Sequence, residues 1–160
     1  MTQIPIRTII DSGSWFQCES ERMLGSRRQF RIRITSFRQV ELAEIDNPQN
    51  IRGFTLEEGE LWLLSFSVVN LGKEQFDPVE VRYSFVIVDQ DECEFNYVDD
   101  IHLTCRSAFS LKTGLHRFHG LCAPLGPKMV AEGAAVYLLP DQESPQYTLK
   151  MKKTGTIEEL

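Results

Sequence analysis

The chain has 160 residues, 42% apolar and 25% charged, a composition typical of one folded domain with an adequate core. A formal net charge of −6 disfavours a general nucleic-acid binder, because phosphate contacts require a basic surface. No apolar run approaches the ~20 residues that a membrane-spanning helix needs, so we expect no membrane span.

Residues 1–26 are predicted to form an N-terminal extension with a short edge strand at residues 8–10. Asp, Ser and Gly follow at residues 11–14 and favour a turn. The first residues lack the basic segment and apolar core of a secretory signal, which favours a cytoplasmic location. The alternative is a secreted or periplasmic domain from which the signal has been removed.

The first strand of the domain is predicted at residues 27–37. Apolar and polar residues alternate there, which indicates one buried and one solvated face of a sheet. The solvated face carries Arg31 and Arg33, within the chain's only concentrated basic patch. These arginines either bind an anionic partner or form a solvated face that pairs with glutamates across the sheet, which is the commoner role of charged runs.

The centre of the fold is predicted at Glu60–Asn70 and residues 80–89, as two long paired strands. Both segments have an apolar residue at every second position, the pattern of a half-buried strand. The predicted core residues are Trp62, Leu64, Phe66, Val68, Val81, Tyr83, Phe85 and Ile87.

Later segments complete the predicted domain. Residues 44–50 favour a loop, an acidic turn follows Asp89, and residues 133–140 and 147–152 favour strands. The whole pattern predicts an all-β, immunoglobulin-like antiparallel β-sandwich of about 7–9 strands over residues 27–153, followed by a tail at 154–160.

Four segments occur in a characteristic order: Asn-Leu-Gly at 70–72, Phe-Asp-Pro at 76–78, Tyr-Ser-Phe-Val-Ile-Val-Asp at 83–89 and Glu-Gly-Ala-Ala-Val-Tyr-Leu-Leu-Pro at 132–140. This order resembles a bacterial immunoglobulin-like domain family of unknown function, some members of which are labelled telomeric repeat-binding factor-like. The resemblance implies a sandwich module, often secreted or lipid-anchored, without established catalytic residues to transfer.

Two groups of residues are candidates for metal binding. His116, His119 and Cys122, with Cys105 upstream, are zinc-ligand types, but in an extended strand residues three apart face opposite sides. The second group, Asp89, Asp91 and Glu94, offers oxygens for calcium but lacks the spacing of a known calcium loop. We therefore expect no bound metal and no cofactor, and we interpret the acidic group as a turn.

No catalytic motif emerges from the sequence, and we predict a non-enzymatic protein-binding or assembly module. Candidate contacts are the Arg31 and Arg33 face, the segment Phe76, Asp77 and Pro78, and the loop at 141–145. Self-association through sheet edges is a further expectation. The alternative is a hydrolase or metal-dependent enzyme that uses His116, His119 and Cys122.

The cysteines are Cys18, Cys93, Cys105 and Cys122. An even number permits two disulfides with three possible pairings. Without an export signal, we expect free and partly buried thiols instead.

Overall fold

The computed structural model describes residues 3–21, 27–40, 45–46, 59–76, 81, 85–97, 110–111, 125–151 and 156–159. No helix among these residues is both long and apolar enough to span a membrane. In chain order the elements are β1 (Gln3–Pro5), α1 (Ile6–Ser12), β2 (Phe16–Glu21), β3 (Arg27–Val40), β4 (Ile45–Asp46), β5 (Glu60–Asn70), β6 (Phe85–Val88), β7 (Glu94–Phe95), β8 (Ser110–Leu111), β9 (Val130–Leu139), β10 (Thr148–Met151) and β11 (Thr156–Glu159).

The strands form two main antiparallel sheets. The larger sheet has the order β11-β2-β3-β5-β9, and the smaller has the order β1-β10-β6-β7. A separate antiparallel pair joins β4 to β8. The prediction of an all-β sandwich of two antiparallel sheets is confirmed.

The core lies between the two sheets and is formed by alternate residues of their strands. On β5 these are Leu64, Phe66 and Val68, and on β6 they are Phe85 and Ile87. Val81 is also buried, and Trp62 packs half-buried against the cluster. The predicted core is therefore confirmed, except for Tyr83, which lies outside the described residues.

The predicted pairing of the two central strands is wrong. β5 lies between β3 and β9 in the larger sheet, whereas β6 lies between β10 and β7 in the smaller one. Residues 71–84 connect them, and this connection is far longer than the two to five residues of a hairpin. Such a length allows the chain to cross to the opposite sheet, so the strands face each other across the core instead of pairing.

At one end, β5 is buried on both of its faces. Leu61 and Leu63 alternate with the core residues, yet they are only 1% and 3% exposed. Their register partners on β9, Leu138 and Val136, lie on the same outer face, and Val136 is also buried. The outer face of the larger sheet is thus apolar and covered at this end.

The N-terminal segment contains a helix where a strand is predicted at residues 8–10. Helix α1 buries Ile6 and Ile9, which are three positions apart and share one side of a helix. Gly13 ends the helix at φ 63°, and its N–H donates to the carbonyl of Ile10. The edge strand of this segment is β1, which pairs with β10.

Segments outside the predicted sandwich also contribute strands to the sheets. β2 pairs with β3 along its whole length, and β11 pairs with β2. Residues assigned to the N-terminal extension and to the tail therefore extend the larger sheet. β4, at Ile45–Asp46, lies in the segment predicted to be a loop, so that prediction is wrong at these two residues.

Three aromatic rings connect the two sheets at the covered end of the sandwich. Phe37 stacks on Trp62 with ring centroids 4.9 Å apart. Tyr147, directly before β10, meets both rings edge-on at 5.8 and 5.9 Å. Edge-on and offset arrangements stabilise aromatic pairs beyond the area they bury, so this group fixes β10 against the larger sheet.

Candidate binding surface

The outer face of β3 carries Arg31 and Arg33. Phe30, Ile32 and Ile34 point into the core, so the two arginines between them point away from it. Arg31 is exposed and Arg33 is half-buried. Residues two apart on a strand are about 7 Å apart on the same face. The strand therefore carries both arginines on the face that points away from the core.

The strands beside β3 place neutral residues next to these arginines. Gln17 and Val69 flank Arg31 in the sheet register, and Ser67 on β5 is the partner of Arg33. Within the described part of the chain, neither arginine forms an ion pair with a carboxylate. The cross-strand partners that these registers give to Arg31 and Arg33 are therefore not glutamates.

Trp15 holds the side chain of Arg33. The guanidinium carbon of Arg33 lies 5.0 Å from the centroid of the Trp15 ring, a cation–π contact. The Nε–H of Arg33 is buried and has no hydrogen-bond acceptor among the residues that the structure describes. The ring of Trp15 is thus a contact that restrains the side chain of Arg33.

Aliphatic side chains lie next to the arginines. Val69 is the register partner of Arg31, and Val130 on β9 is the register partner of Val69. Neighbouring strands are about 4.8 Å apart, so Val130 lies about 10 Å from Arg31. Val130 is 61% exposed. We call the surface formed by Trp15, Arg31, Arg33, Val69 and Val130 the outer patch.

Asn70 anchors the turn that leads into this part of β9. Its side-chain Nδ2 donates to the carbonyls of Glu74 and Leu125 at 2.7 and 2.9 Å, and its Oδ1 accepts from the N–H of Gly72 at 2.8 Å. Its backbone carbonyl accepts from Lys128, and its backbone N–H donates to the carbonyl of Met129. Asn70 is 1% exposed, so this buried network positions the start of β9 and its exposed Val130.

The second predicted contact segment is Phe76, Asp77 and Pro78. Phe76 is 3% exposed, exchanges backbone hydrogen bonds with Leu125 and packs against Phe30 with ring centroids 6.5 Å apart. Its side chain belongs to the core and is not available at the surface. Asp77 and Pro78 lie outside the described residues.

The acidic candidates for calcium form a structural turn. Oδ1 of Asp89 accepts from the backbone N–H groups of Asp91 and Cys93, both at 2.9 Å, and Gln142 donates to Oδ2 at 3.3 Å. These bonds, chiefly that from Cys93, hold the pKa of the Asp89 carboxyl below its ordinary value. Glu94 instead pairs with Lys150. The predicted turn is confirmed, and these carboxylates do not converge on one point.

The zinc candidates His116, His119, Cys122 and Cys105 all lie outside the described residues. Among the residues that the structure does describe, no group of three or more His, Cys, Asp or Glu side chains could hold a metal ion. Cys18 and Cys93 are free thiols, the first buried and the second exposed. Burial raises the pKa of the Cys18 thiol, and the negative charge of Asp89 raises that of Cys93.

Sequence reasoning found the two arginines of the outer patch and missed its other members. Trp15 precedes β2 and reaches Arg33 only through the pairing of β2 with β3. Val69 and Val130 join the patch through the registers of β5 and β9. No protein-family model, curated protein or solved structure matches this chain, so the outer patch is defined by its own geometry alone.

Proposed function

We propose that this chain is a non-enzymatic protein-binding module and that the outer patch is its contact surface. The observation that carries the proposal is the set of neutral neighbours around Arg31 and Arg33. Two like charges on one face repel each other, and neither arginine forms an ion pair with a carboxylate among the described residues. A binding partner supplies the negative charge that pairs with the two arginines.

The composition of the outer patch supports a protein partner. Arginine and tryptophan are enriched at protein interfaces and dominate binding energy where they are held rigidly. Arg33 is restrained in this way by its cation–π contact with Trp15. Val69 and Val130 add aliphatic surface beside the charges, as in an interface that combines apolar contact with directed hydrogen bonds.

A nucleic-acid partner fits the patch less well. Binding to a phosphate backbone draws on many cations, whereas this patch has two in a chain of net charge −6.

Reversing the charge of the outer patch is expected to abolish partner capture. The variant R31E/R33E replaces both guanidinium groups with carboxylates, so an attraction becomes a repulsion. Chemical crosslinking of the purified wild-type chain in extract of its native source is expected to capture a partner protein. We expect R31E/R33E to lose this protein, as measured by quantitative mass spectrometry. The matched control R7E/K73E makes the same change of net charge at exposed positions in α1 and in the segment after β5.

Two outcomes of this experiment contradict the proposal. In the first, R31E/R33E captures the same proteins as wild type. In the second, the captured protein is another copy of this chain and its capture is insensitive to R31E/R33E, which supports association through a sheet edge instead. A variant that removes His116, His119 and Cys122 addresses the enzyme alternative, and we expect it to retain partner capture.

For the compartment, we propose the cytoplasm with reduced thiols. Support comes from Cys18 and Cys93, both of which are free. Titration with a thiol reagent in denaturant is expected to count four thiols per chain, the full number of cysteines in the sequence. A count of two or zero contradicts the proposal and indicates one or two disulfides and an oxidising compartment.

We also propose that the sandwich has an immunoglobulin-like topology and that the chain belongs to the bacterial family of unknown function. Their support is the pair of antiparallel sheets packed on one core. Domains of this architecture present sheet faces and loop ends as contact surfaces, which agrees with a binding module built on the face of β3.

A further inference from the structure

We infer that the partner presents an extended acidic segment to the outer patch, with two carboxylates two residues apart and an aliphatic side chain beside them. This inference rests on the proposed function and names the chemistry of its partner. It follows from the spacing, the fixation and the surroundings of Arg31 and Arg33.

The spacing of the two arginines matches an extended peptide. Arg31 and Arg33 lie on one face of β3 about 7 Å apart, because each residue of a strand advances about 3.3–3.4 Å. Carboxylates at positions i and i+2 of an extended peptide have the same separation. One carboxylate can therefore meet each guanidinium while the peptide follows the direction of β3.

The fixation of Arg33 favours a carboxylate over a diffuse charge. Arg33 is half-buried and its guanidinium carbon lies 5.0 Å from the centroid of the Trp15 ring, so its side chain is less free to move than that of an exposed arginine. A guanidinium presents its N–H donors in a planar fork that matches the two oxygens of a carboxylate. Arg31 is exposed and offers the partner a second positive charge.

The surroundings of the arginines select against a purely charged ligand. Val69 is half-buried beside Arg31, and Val130 is 61% exposed one strand further on. Met129, directly before Val130, is 56% exposed. An aliphatic side chain of the partner removes the exposed surface of Val130 from water, which inorganic phosphate or a phosphate backbone does not do.

The test uses a series of fluorescein-labelled ten-residue peptides with a Glu-Ser-Glu centre and one leucine placed at each flanking position in turn. Fluorescence anisotropy at about 50 mM salt measures their binding to the full chain, a salt concentration at which exposed charges interact strongly. We expect saturable binding of at least one member. We also expect its Kd to rise about tenfold or more in R31A/R33A and with a Gln-Ser-Gln centre.

The control variant R7A/K73A removes the same net charge outside the patch and is expected to leave Kd within about twofold, because distant exposed charges are screened. The inference is overturned if no peptide binds more tightly than its Gln-Ser-Gln counterpart, or if single-stranded (dT)20 binds more tightly than every peptide. If the peptides fail while R31E/R33E still abolishes capture from the native source, this inference is wrong and the proposed function stands.

Discussion

Replacing Phe66 with alanine is expected to lower the free energy of unfolding by about 3–5 kcal/mol. Phe66 is 2% exposed, lies near the middle of β5 and belongs to the core cluster between the sheets. Its removal leaves a cavity lined by side chains of both sheets, because a packed core relaxes only partly. Denaturation in urea, followed by tryptophan fluorescence, measures the loss.

Two further variants keep this experiment decisive. Phe66→Leu retains most of the apolar volume, and we expect a loss of about 1 kcal/mol, which is measurable even if the alanine variant does not fold. Lys73→Ala changes an exposed residue and is expected to stay within about 0.5 kcal/mol of wild type. If Phe66→Ala also stays within that range, the assignment of this face of β5 to the core is wrong.

Replacing Asn70 with alanine is expected to lower the free energy of unfolding by about 2–4 kcal/mol. The side chain makes three hydrogen bonds at 2.7, 2.9 and 2.8 Å while almost fully buried. Alanine leaves two carbonyls and one N–H without these partners, and the cost of each unmade bond adds to the total. Urea denaturation again provides the measurement.

Asn96→Ala is the matched control for this variant, because it removes the same type of side chain at an exposed position. We expect it to cost no more than about 0.5 kcal/mol. Equal stability of the two variants contradicts the role assigned to the Asn70 network. Because Asn70 also bonds Lys128 and Met129 through its backbone, we expect the remaining contacts to keep the turn before β9 formed.

The strands and their core faces followed from alternation in the sequence. On β5 the residues Leu64, Phe66 and Val68 are buried in the core as predicted. The same segment also contains Leu61 and Leu63 at the positions expected to be solvated, and both are buried. The sequence thus contains a signal of burial on both faces, because this strand is apolar on both faces at one end.

Strand pairing could not be read from the same patterns. Alternation specifies which residues share a face, but it does not specify which strand lies beside which. The length of residues 71–84 was the available clue that β5 and β6 lie in different sheets.

For α1 the spacing of Ile6, Ile9 and Ile10 at i, i+3 and i+4 was a helical signal before Gly13, and it outweighs the strand-like character of isoleucine.

The candidate site was predictable only in part, for the same reason. Arg31 and Arg33 are close in sequence, so their shared face was visible from alternation. Whether glutamates lie opposite them depends on long-range register, which brings Gln17, Val69 and Ser67 to these positions. Phe76 was misread as a surface residue because a single aromatic residue beside a proline motif carries no alternation to show its burial.

Site-specific photo-crosslinking shows most directly whether the outer patch contacts a protein partner. A p-benzoylphenylalanine residue is introduced at position 130 in the patch. In a separate variant it is introduced at position 143, which is exposed in the loop at 141–145, another predicted contact surface. After irradiation in the native host, we predict a covalent adduct with another protein at position 130, lost when R31E/R33E is added, and none at position 143. An adduct at position 143 with none at position 130 means that the outer patch is not the contact surface.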